Sequence, residues 1–459
     1  MRPDGLFFEY SGMNLGSRER RNMSEEKKKA VRTAGAALKV RPGRSNLVIG
    51  LTGPFGSGCS AMLSVLKQKE FGFVPFKISD DIRDELLKSN KLVEKGKPGW
   101  RRALQLHGDR RRKGDQGYWI NKVIDRIDKA NVGEANIAID GFRNFREVEE
   151  IRKIYPRFFL VAICAEKDER WKRVQRDYNG KYYEFEDDDR RDQNEDFDWG
   201  QSVQRCVDDA DYVYYNTEHL VVNLEGNEDP DTKKIDRWLK KQAEDFVPLM
   251  RGDTECRDPR VEEVQIAAAY AQSNSSTCLK RHVGAVITIK RDGQQLPISM
   301  GFNENPPNIR TCKSETACYK DEDMSAKLEA RGKSIYCPSC GNPHKNLSEP
   351  WACEKCGISL KLWLHPNRNM ELCTAIHAEE RAILSLGDRR ADGATIYVTT
   401  FPCFQCARLI LDAGIENVVY VEAYPMQGTA AFLKANGVEI KPFSGFTARA
   451  FFKVFSKVN

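Results

Sequence analysis

His377 and Glu379 stand two positions apart, and the run Pro402-Cys403-Phe404-Gln405-Cys406 follows, with Cys403 26 positions beyond His377. One imidazole and two thiols are three donors for a zinc ion, which in catalytic sites takes three protein ligands and keeps a fourth position for water or substrate. Cys403 and Cys406 are three apart and share one face at the start of a predicted helix. There the unpaired N–H groups and the helix dipole favour thiolate. His377 opens another predicted helix, with Glu379 just inside it. Zinc acidifies a bound water, and a carboxylate at Glu379 that is not itself a ligand can carry the released proton to a substrate nitrogen. A purely structural site would use four protein ligands and leave Glu379 without a task.

A second group of cysteines lies upstream. Cys337 and Cys340 form one CxxC pair and Cys353 and Cys356 another. Two such knuckles make a tetrahedral thiolate site of the zinc-ribbon kind, able to hold together an insertion too polar to fold alone. Cys312, Cys318 and Cys373 flank it, three candidate ligands without an obvious fourth. The chain has 14 cysteines and no apolar leader at its start, so metal ligands are expected over disulfides, in a reducing cytoplasm.

A third motif is Gly53-Pro54-Phe55-Gly56-Ser57-Gly58-Cys59-Ser60, between a short apolar run and a helix-like segment. This is the setting and spacing of a phosphate-binding loop, whose N–H groups cradle phosphate. Cys59 stands where such loops carry lysine. Ser60 keeps the place of the magnesium-contacting hydroxyl, and Asp140 that of the acidic residue on the neighbouring strand. The expected nucleotide-binding residues are Gly53, Gly56, Ser57, Gly58, Ser60 and Asp140. Without the lysine, sensing or scaffolding fits better than phosphoryl transfer.

The elements around these motifs read as α/β throughout. Residues 1–44 are polar and basic, a mobile tail. Across 45–247, Leu47–Leu51, Asn136–Asp140, Phe158–Cys164, Tyr212–Asn216 and Leu220–Leu224 are strand candidates separated by helices, which predicts a parallel sheet. The acid-rich stretch Glu184–Trp199 reads as an exposed, mobile lid. Residues 248–259 read as a linker and 260–459 as a second α/β unit, with a polar insertion over about 312–372. There, helices at Val261–Gln272, Ala378–Leu386, Cys403–Ala413 and Thr429–Ala435 alternate with strands at Val283–Ile289, Leu296–Gly301, Thr395–Thr399 and Val418–Glu422. Net charge is +6 over 459 residues, too weak a bias to argue for nucleic acid. The runs Arg101-Arg102 and Arg110–Lys113 read as solvated faces or phosphate contacts. No apolar stretch is long enough for a membrane span.

The His-x-Glu and Pro-Cys-x-x-Cys pair is the pattern of zinc deaminases. The segments Cys278–Ile287, Gly301–Pro307, Cys373–Ile383, Thr399–Ile410 and Val418–Pro425 resemble the deoxycytidylate deaminases in order and spacing. That resemblance implies that Asn303 hydrogen-bonds the sugar, that Val283 and Ala285 line the base pocket, and that Arg281 and Tyr424 contact phosphate. The bland alternatives for the last two are a surface cation and a packing aromatic. Arg381 departs from the family, which often has Asn there; it suits either a longer phosphate tail or solvent. Ile139–Arg152, with Arg170, Arg173 and Arg176, looks like small-molecule nucleotide kinases. The expected fold is therefore an N-terminal P-loop kinase-like parallel α/β domain, followed by a C-terminal cytidine-deaminase-fold α/β/α domain with a zinc-ribbon insertion. The combination resembles the bacterial anti-phage dCTP/dCMP deaminases. It implies a zinc enzyme that depletes deoxycytidine nucleotides, held in check by a nucleotide or small-RNA regulator, and assembled as a homo-oligomer. Two other readings stay open: an RNA or DNA editing deaminase, and a bifunctional salvage kinase-deaminase.

Overall fold

The computed structural model describes residues 45–89, 99–193, 199–216, 230–315, 318, 335–336, 340–344, 353, 355, 373–387, 389–422 and 428–456. The expected tail, the strand Leu220–Leu224 and most of the insertion lie outside these residues. Asn46–Asn459 cluster as one compact unit.

The first half is built on a parallel sheet. β1 (Val48–Thr52), β2 (Val74–Lys77), β3 (Ile137–Phe142), β4 (Phe158–Cys164) and β5 (Tyr212–Tyr215) lie in the order β2-β3-β1-β4-β5, every pairing parallel. β1 and β4 are buried along their whole length, as parallel strands covered on both faces must be. Helices connect them, among them Cys59–Leu66, Ile78–Lys88, Trp100–Gly114, Tyr118–Ala130 and Phe145–Ile154.

The second half is a mixed sheet. β6 (Gly284–Arg291) and β7 (Gln294–Phe302) form a hairpin. β8 (Ile335–Tyr336) and β9 (Pro343–His344) are a two-stranded pair in the insertion. β10 (Ala394–Thr400), β11 (Ile415–Glu422) and β12 (Glu439–Pro442) complete the order β7-β6-β10-β11-β12, the last three parallel. Helix Val261–Ser273 packs on one face. A Cβ at Gly284 would meet its Ala269 carbonyl oxygen at 1.8 Å, so only glycine permits the approach. One apolar cluster runs from Val48 and Ile139 in the first sheet to Ala285 and Val418 in the second. β13 (Gly445–Phe446) then leaves its own half and pairs antiparallel with β5, a crossing that the sequence reading did not anticipate. Buried Glu263 holds it there, accepting from the Phe446 N–H at 2.9 Å, from the Arg260 N–H at 2.8 Å and from both ends of the Arg257 guanidinium at 2.8 Å.

Three expectations are corrected. Tyr182–Gln193 is a helix, and three of its acids face inward: Asp189 pairs with buried Arg170 and Asp192 with Arg143 at 2.6 Å, while Asp188 accepts from Arg102 and the Tyr178 hydroxyl. Arginines supplied by other segments thus turn an acid-rich stretch into a buried face. Arg112 is no solvated cation; it is buried between Asp109 and Glu147, 2.8 Å from the latter. Helix Pro230–Arg251 runs past Pro248, because Leu249 and Met250 are buried and anchor its last turn. No helix among the described residues is long and apolar enough to cross a membrane.

Glu85 joins three helices of the first half. Its carboxylate accepts from His107 and Arg111, on Trp100–Gly114, and from Tyr118 and Lys122, on Tyr118–Ala130. Burial alone would raise its pKa, but these donors hold it near 2, below its ordinary 4.5. The folded chain therefore resists protonation that the unfolded chain accepts near 4.5. Its contribution is present in full above that pH and is lost as pH falls from 4.5 toward 2. The stability gap between wild type and Glu85→Gln in denaturant titrations should be constant from pH 7 to 5 and shrink below 4.5. A gap unchanged down to pH 3 would remove this role.

Candidate active site

The site begins where β7 passes beneath helix Ala378–Leu384. A Cβ at Gly301 would stand 2.3 Å from the Ala378 carbonyl oxygen and 2.5 Å from the Ala382 nitrogen, so glycine alone lets this helix rest on the strand. Arg381 then ties the helix to the strand's exit, donating from Nε to the Phe302 carbonyl at 3.1 Å and from its terminal nitrogen to the Glu304 carbonyl at 2.9 Å. Its guanidinium is thus engaged by two backbone carbonyls. Ile376 and Glu304 exchange two backbone hydrogen bonds, at 3.0 and 3.2 Å. His377 is fixed between these anchors. It caps the helix, and its N–H is met by the Glu380 carboxylate at 3.4 Å.

Cys403 caps helix Phe404–Asp412 just after β10, and Cys406 lies one turn in. The Phe401 N–H donates to the Glu422 carbonyl at 2.8 Å, tying the β10 exit to β11. Both sulfurs face His377: Nδ1 is 3.4 Å from Cys403 Sγ and 3.3 Å from Cys406 Sγ. A tetrahedral zinc ion, with metal–sulfur near 2.3 Å and metal–nitrogen about 2.0–2.1 Å, sets nitrogen and sulfur about 3.5 Å apart. The donor set fits. Among the described residues it is the one group of three or more His, Cys, Asp or Glu ligand atoms lying within 4.8 Å of one another.

The electrostatics show what these groups require. The Cys406 hydrogen bond, opposed by burial and aided by His377, draws Cys403 down to about 4, while the same bond and burial push Cys406 up. Two thiolates side by side here would favour a bound cation. Glu379 is buried behind them. Burial pushes its carboxyl up to about 7, against the pull of His377, so it can both accept and release a proton.

The other expected residues are placed as follows. Asn303 is buried at the end of β7; its Oδ1 accepts from the Val283 N–H at 2.7 Å and its Nδ2 donates to the Arg281 carbonyl at 2.9 Å. Ala285 is buried in β6 opposite Gly301, and Val283 directly precedes the strand. Arg281 is half-exposed, with its guanidinium 3.6 Å from the Glu422 carboxylate. Tyr424, Cys337 and Cys356 lie outside the described residues. Cys340 and Cys353 do meet, with sulfurs 3.6 Å apart. Burial raises the Cys312 thiol, as do Cys278, Cys318 and Cys373 around it. The glycine-rich turn belongs to the other sheet, at the end of β1. Gly53, Gly56 and Gly58 all have left-handed φ, and at Gly53 a Cβ would meet the Ile163 carbonyl oxygen at 2.0 Å. Ser57 is buried. The Cys59 thiol points back to the Thr52 carbonyl, and burial pushes it up to about 12. Ser60 donates to Asp140 at 2.7 Å.

Sequence reasoning missed Glu422 and Asp208, from opposite halves, whose partly buried carboxyls lie against each other; burial first and mutual repulsion second raise Asp208, and burial raises Glu422. No motif announces such a pair. Gly301 offered a signal, a lone glycine ending a strand pattern. Gly301→Val should lower stability in a denaturant titration by at least about 1–3 kcal/mol, the usual range for overpacking, and reduce bound zinc. A fully stable, fully metallated variant would show that the close approach is dispensable.

Residues 260–422 match the family model described as the cytidine and deoxycytidylate deaminase zinc-binding region. The deoxycytidylate deaminase of Saccharomyces cerevisiae is 27% identical over 208 residues, 45% of this chain and 50% of that protein. That of Schizosaccharomyces pombe is 27% identical over 227 residues, 49% and 54%. That of Enterobacteria phage T4 is 28% identical over 187 residues, 38% and 84%. The chain spans about half the length of the two yeast relatives. Among solved structures, the dCMP deaminase of cyanophage S-TIM5 in complex with dCMP and dUMP overlaps loosely, with TM-score 0.25 and 18% identity, over 41% of this chain and 99% of that one. His377, Glu379, Cys403 and Cys406 all fall within the matched segment, so the C-terminal part of this chain matches the zinc-binding region of the cytidine and deoxycytidylate deaminases.

Proposed function

We propose that this chain hydrolyses the exocyclic amine of deoxycytidine nucleotides, dCMP, dCTP or both. The observation that carries the reading is buried Glu379, a proton carrier near neutrality, directly beside a three-donor cluster that leaves a fourth position for water. A zinc ion on His377, Cys403 and Cys406 supplies Lewis acidity that brings the pKa of water toward neutrality. Glu379 takes the proton from the attacking water and gives it to the ring nitrogen. It then moves the proton of the added hydroxyl to the amine, which leaves as ammonia while the ring carbon keeps the water oxygen as a carbonyl. The amide of Asn303, already held by Val283 and Arg281, is a rigid donor and acceptor for the sugar, with Val283 and Ala285 beside the base. Arg281 and Tyr424 are the proposed phosphate contacts. Cys337, Cys340, Cys353 and Cys356 hold a second, structural zinc; the close approach of Cys340 and Cys353 supports this. The first half is a P-loop kinase-like regulator, which does not turn over nucleotide because Cys59 replaces the lysine. Resemblance to the anti-phage enzymes supports depletion of the deoxycytidine nucleotide pool as the biological outcome.

Glu379→Gln should lower kcat by at least about 10²–10⁴-fold, the usual worth of general acid–base catalysis, with two zinc ions per chain in both proteins. Full activity in that variant ends the assignment; one zinc per active chain removes the ribbon. Stripping the metal with a chelator should abolish turnover, and zinc should restore it. The deciding measurement is a panel of deoxycytidine, dCMP, dCTP, CTP and single-stranded DNA read by product mass. Deamination should be confined to the deoxynucleotides, and infected cells should lose that pool only when the chain is active. Activity on DNA alone would replace this reading with an editing enzyme.

A further inference from the structure

Where the two halves meet beside Arg281, they meet with like charges. Glu422 ends β11, and Asp208 ends helix Val203–Asp208 of the first half. Their carboxyls lie within hydrogen-bonding reach of each other, and two carboxyls can bond only if one of them carries a proton. Their other partners decide which. Glu422 accepts from the Thr400 hydroxyl at 3.1 Å and faces the Arg281 guanidinium at 3.6 Å; a hydroxyl donor and a cation both favour carboxylate. Asp208 accepts from the Gln204 amide at 2.7 Å and meets the Glu422 anion. The proton therefore rests on Asp208, which donates to Glu422; burial first and the Glu422 charge second hold it there.

Arg281 is also joined to the substrate side of the site. Its carbonyl accepts from the Asn303 amide at 2.9 Å, so the side chain read as a phosphate contact springs from the segment that fixes the sugar contact. With the proton on Asp208, the charges of Arg281 and Glu422 balance. Without it, one negative charge in excess stands where an anionic tail must come. Tyr215 senses Glu422, Cys164 senses Asp208 and Tyr270 senses both; burial raises all three, Cys164 to about 12, so they stay protonated near neutrality. His282, next to Arg281, turns its ring to the Cys278 carbonyl at 2.9 Å.

We propose that Asp208 is a positioning residue for the phosphate tail, acting from the first half through Glu422 on Arg281. Protonated, it leaves Arg281 and Glu422 in balance and the site open to an anion. Ionised, it adds a charge that repels the tail, so acceptance of the tail falls as pH rises. The inference rests on the deoxynucleotide reading and on Arg281 as a phosphate contact.

Asp208→Asn keeps the shape and a hydrogen-bond donor but cannot ionise, so it fixes the protonated arrangement. KM and kcat for dCMP and dCTP would be measured on the full-length wild type and on this variant from pH 5 to pH 9. The wild-type KM should match the variant's at the acid end and exceed it by at least about threefold at the alkaline end, more for dCTP than for dCMP. The kcat of both should follow one pH profile. Comparison at each pH cancels the titration of the phosphate, of Glu379 and of the metal site, which both proteins share. Glu422→Gln removes the neighbouring anion and leaves Asp208 ionised throughout. Adding Asp208→Asn to it should then lower KM by a factor that does not vary with pH. Zinc content and melting temperature, checked on every variant, exclude misfolding, and Asp208→Ser, also neutral, stands in if Asp208→Asn does not fold. Three results overturn the proposal and leave the deaminase reading in place: a KM ratio of wild type to variant that is constant across pH, a pH-dependent factor in the Glu422→Gln background, or an unchanged KM in Arg281→Gln. Failure of the wild type to deaminate either nucleotide removes that reading, and the proposal with it.

Discussion

Two thiols and an imidazole brought within 3.4 Å compete for protons and gain little from one another, so the surrounding fold must supply the force that assembles them. Two helix starts do this, His377 capping one and Cys403 the other. The first is set by the absence of a side chain at Gly301 and by the grip of Arg381 on the β7 exit. The second is set by the parallel pairing of β10 with β11. The repulsion that would remain between two thiolates becomes the attraction for a divalent cation, and Glu379, buried by the same packing, is held as an acid near neutrality rather than as a fixed charge.

The deaminase half was largely legible because its chemistry is local in sequence. His377 and Glu379 are two apart, the cysteines three apart, and each sits at the end of an element whose apolar pattern is plain. Helix Thr429–Ala435 and strand Phe158–Cys164 appear with the bounds expected of them. What failed to show was pairing between distant charges. Arg102 and Asp188 are 86 positions apart and Arg112 and Glu147 35, and nothing in either stretch names its partner. Arg112 and the acids of Tyr182–Gln193 therefore looked like solvated charges. The same blindness hid Arg381, whose partners are backbone carbonyls.

The two halves are also less separable than alternating segments suggest. The Tyr215 hydroxyl donates to the Val421 carbonyl at 3.3 Å, and the rings of Tyr215 and Tyr420 meet edge to face. Beside them Glu422 accepts from Thr400 and neighbours Arg281, while Asp208 from the first half presses against it. The strand that leads out of the deaminase core thus ends on groups contributed by the other sheet, two residues from where Phe401 and Pro402 lead into the zinc ligands of β10's loop. A shift in the first sheet has a short mechanical route to the residues around His377, Cys403 and Cys406.

The pairing of β13 with β5 has a consequence for how the protein is made. β5 ends at residue 215, and among the described residues its outer edge is covered by Gly445 and Phe446, with Glu263 from between them. During vectorial synthesis the first sheet emerges with one flank open and can close it only after more than half of the chain has followed. A nascent N-terminal half is therefore a folding intermediate with an exposed strand edge, the kind of surface that chaperones guard and aggregates exploit. The first sheet is thus completed by residues that follow the whole of the second.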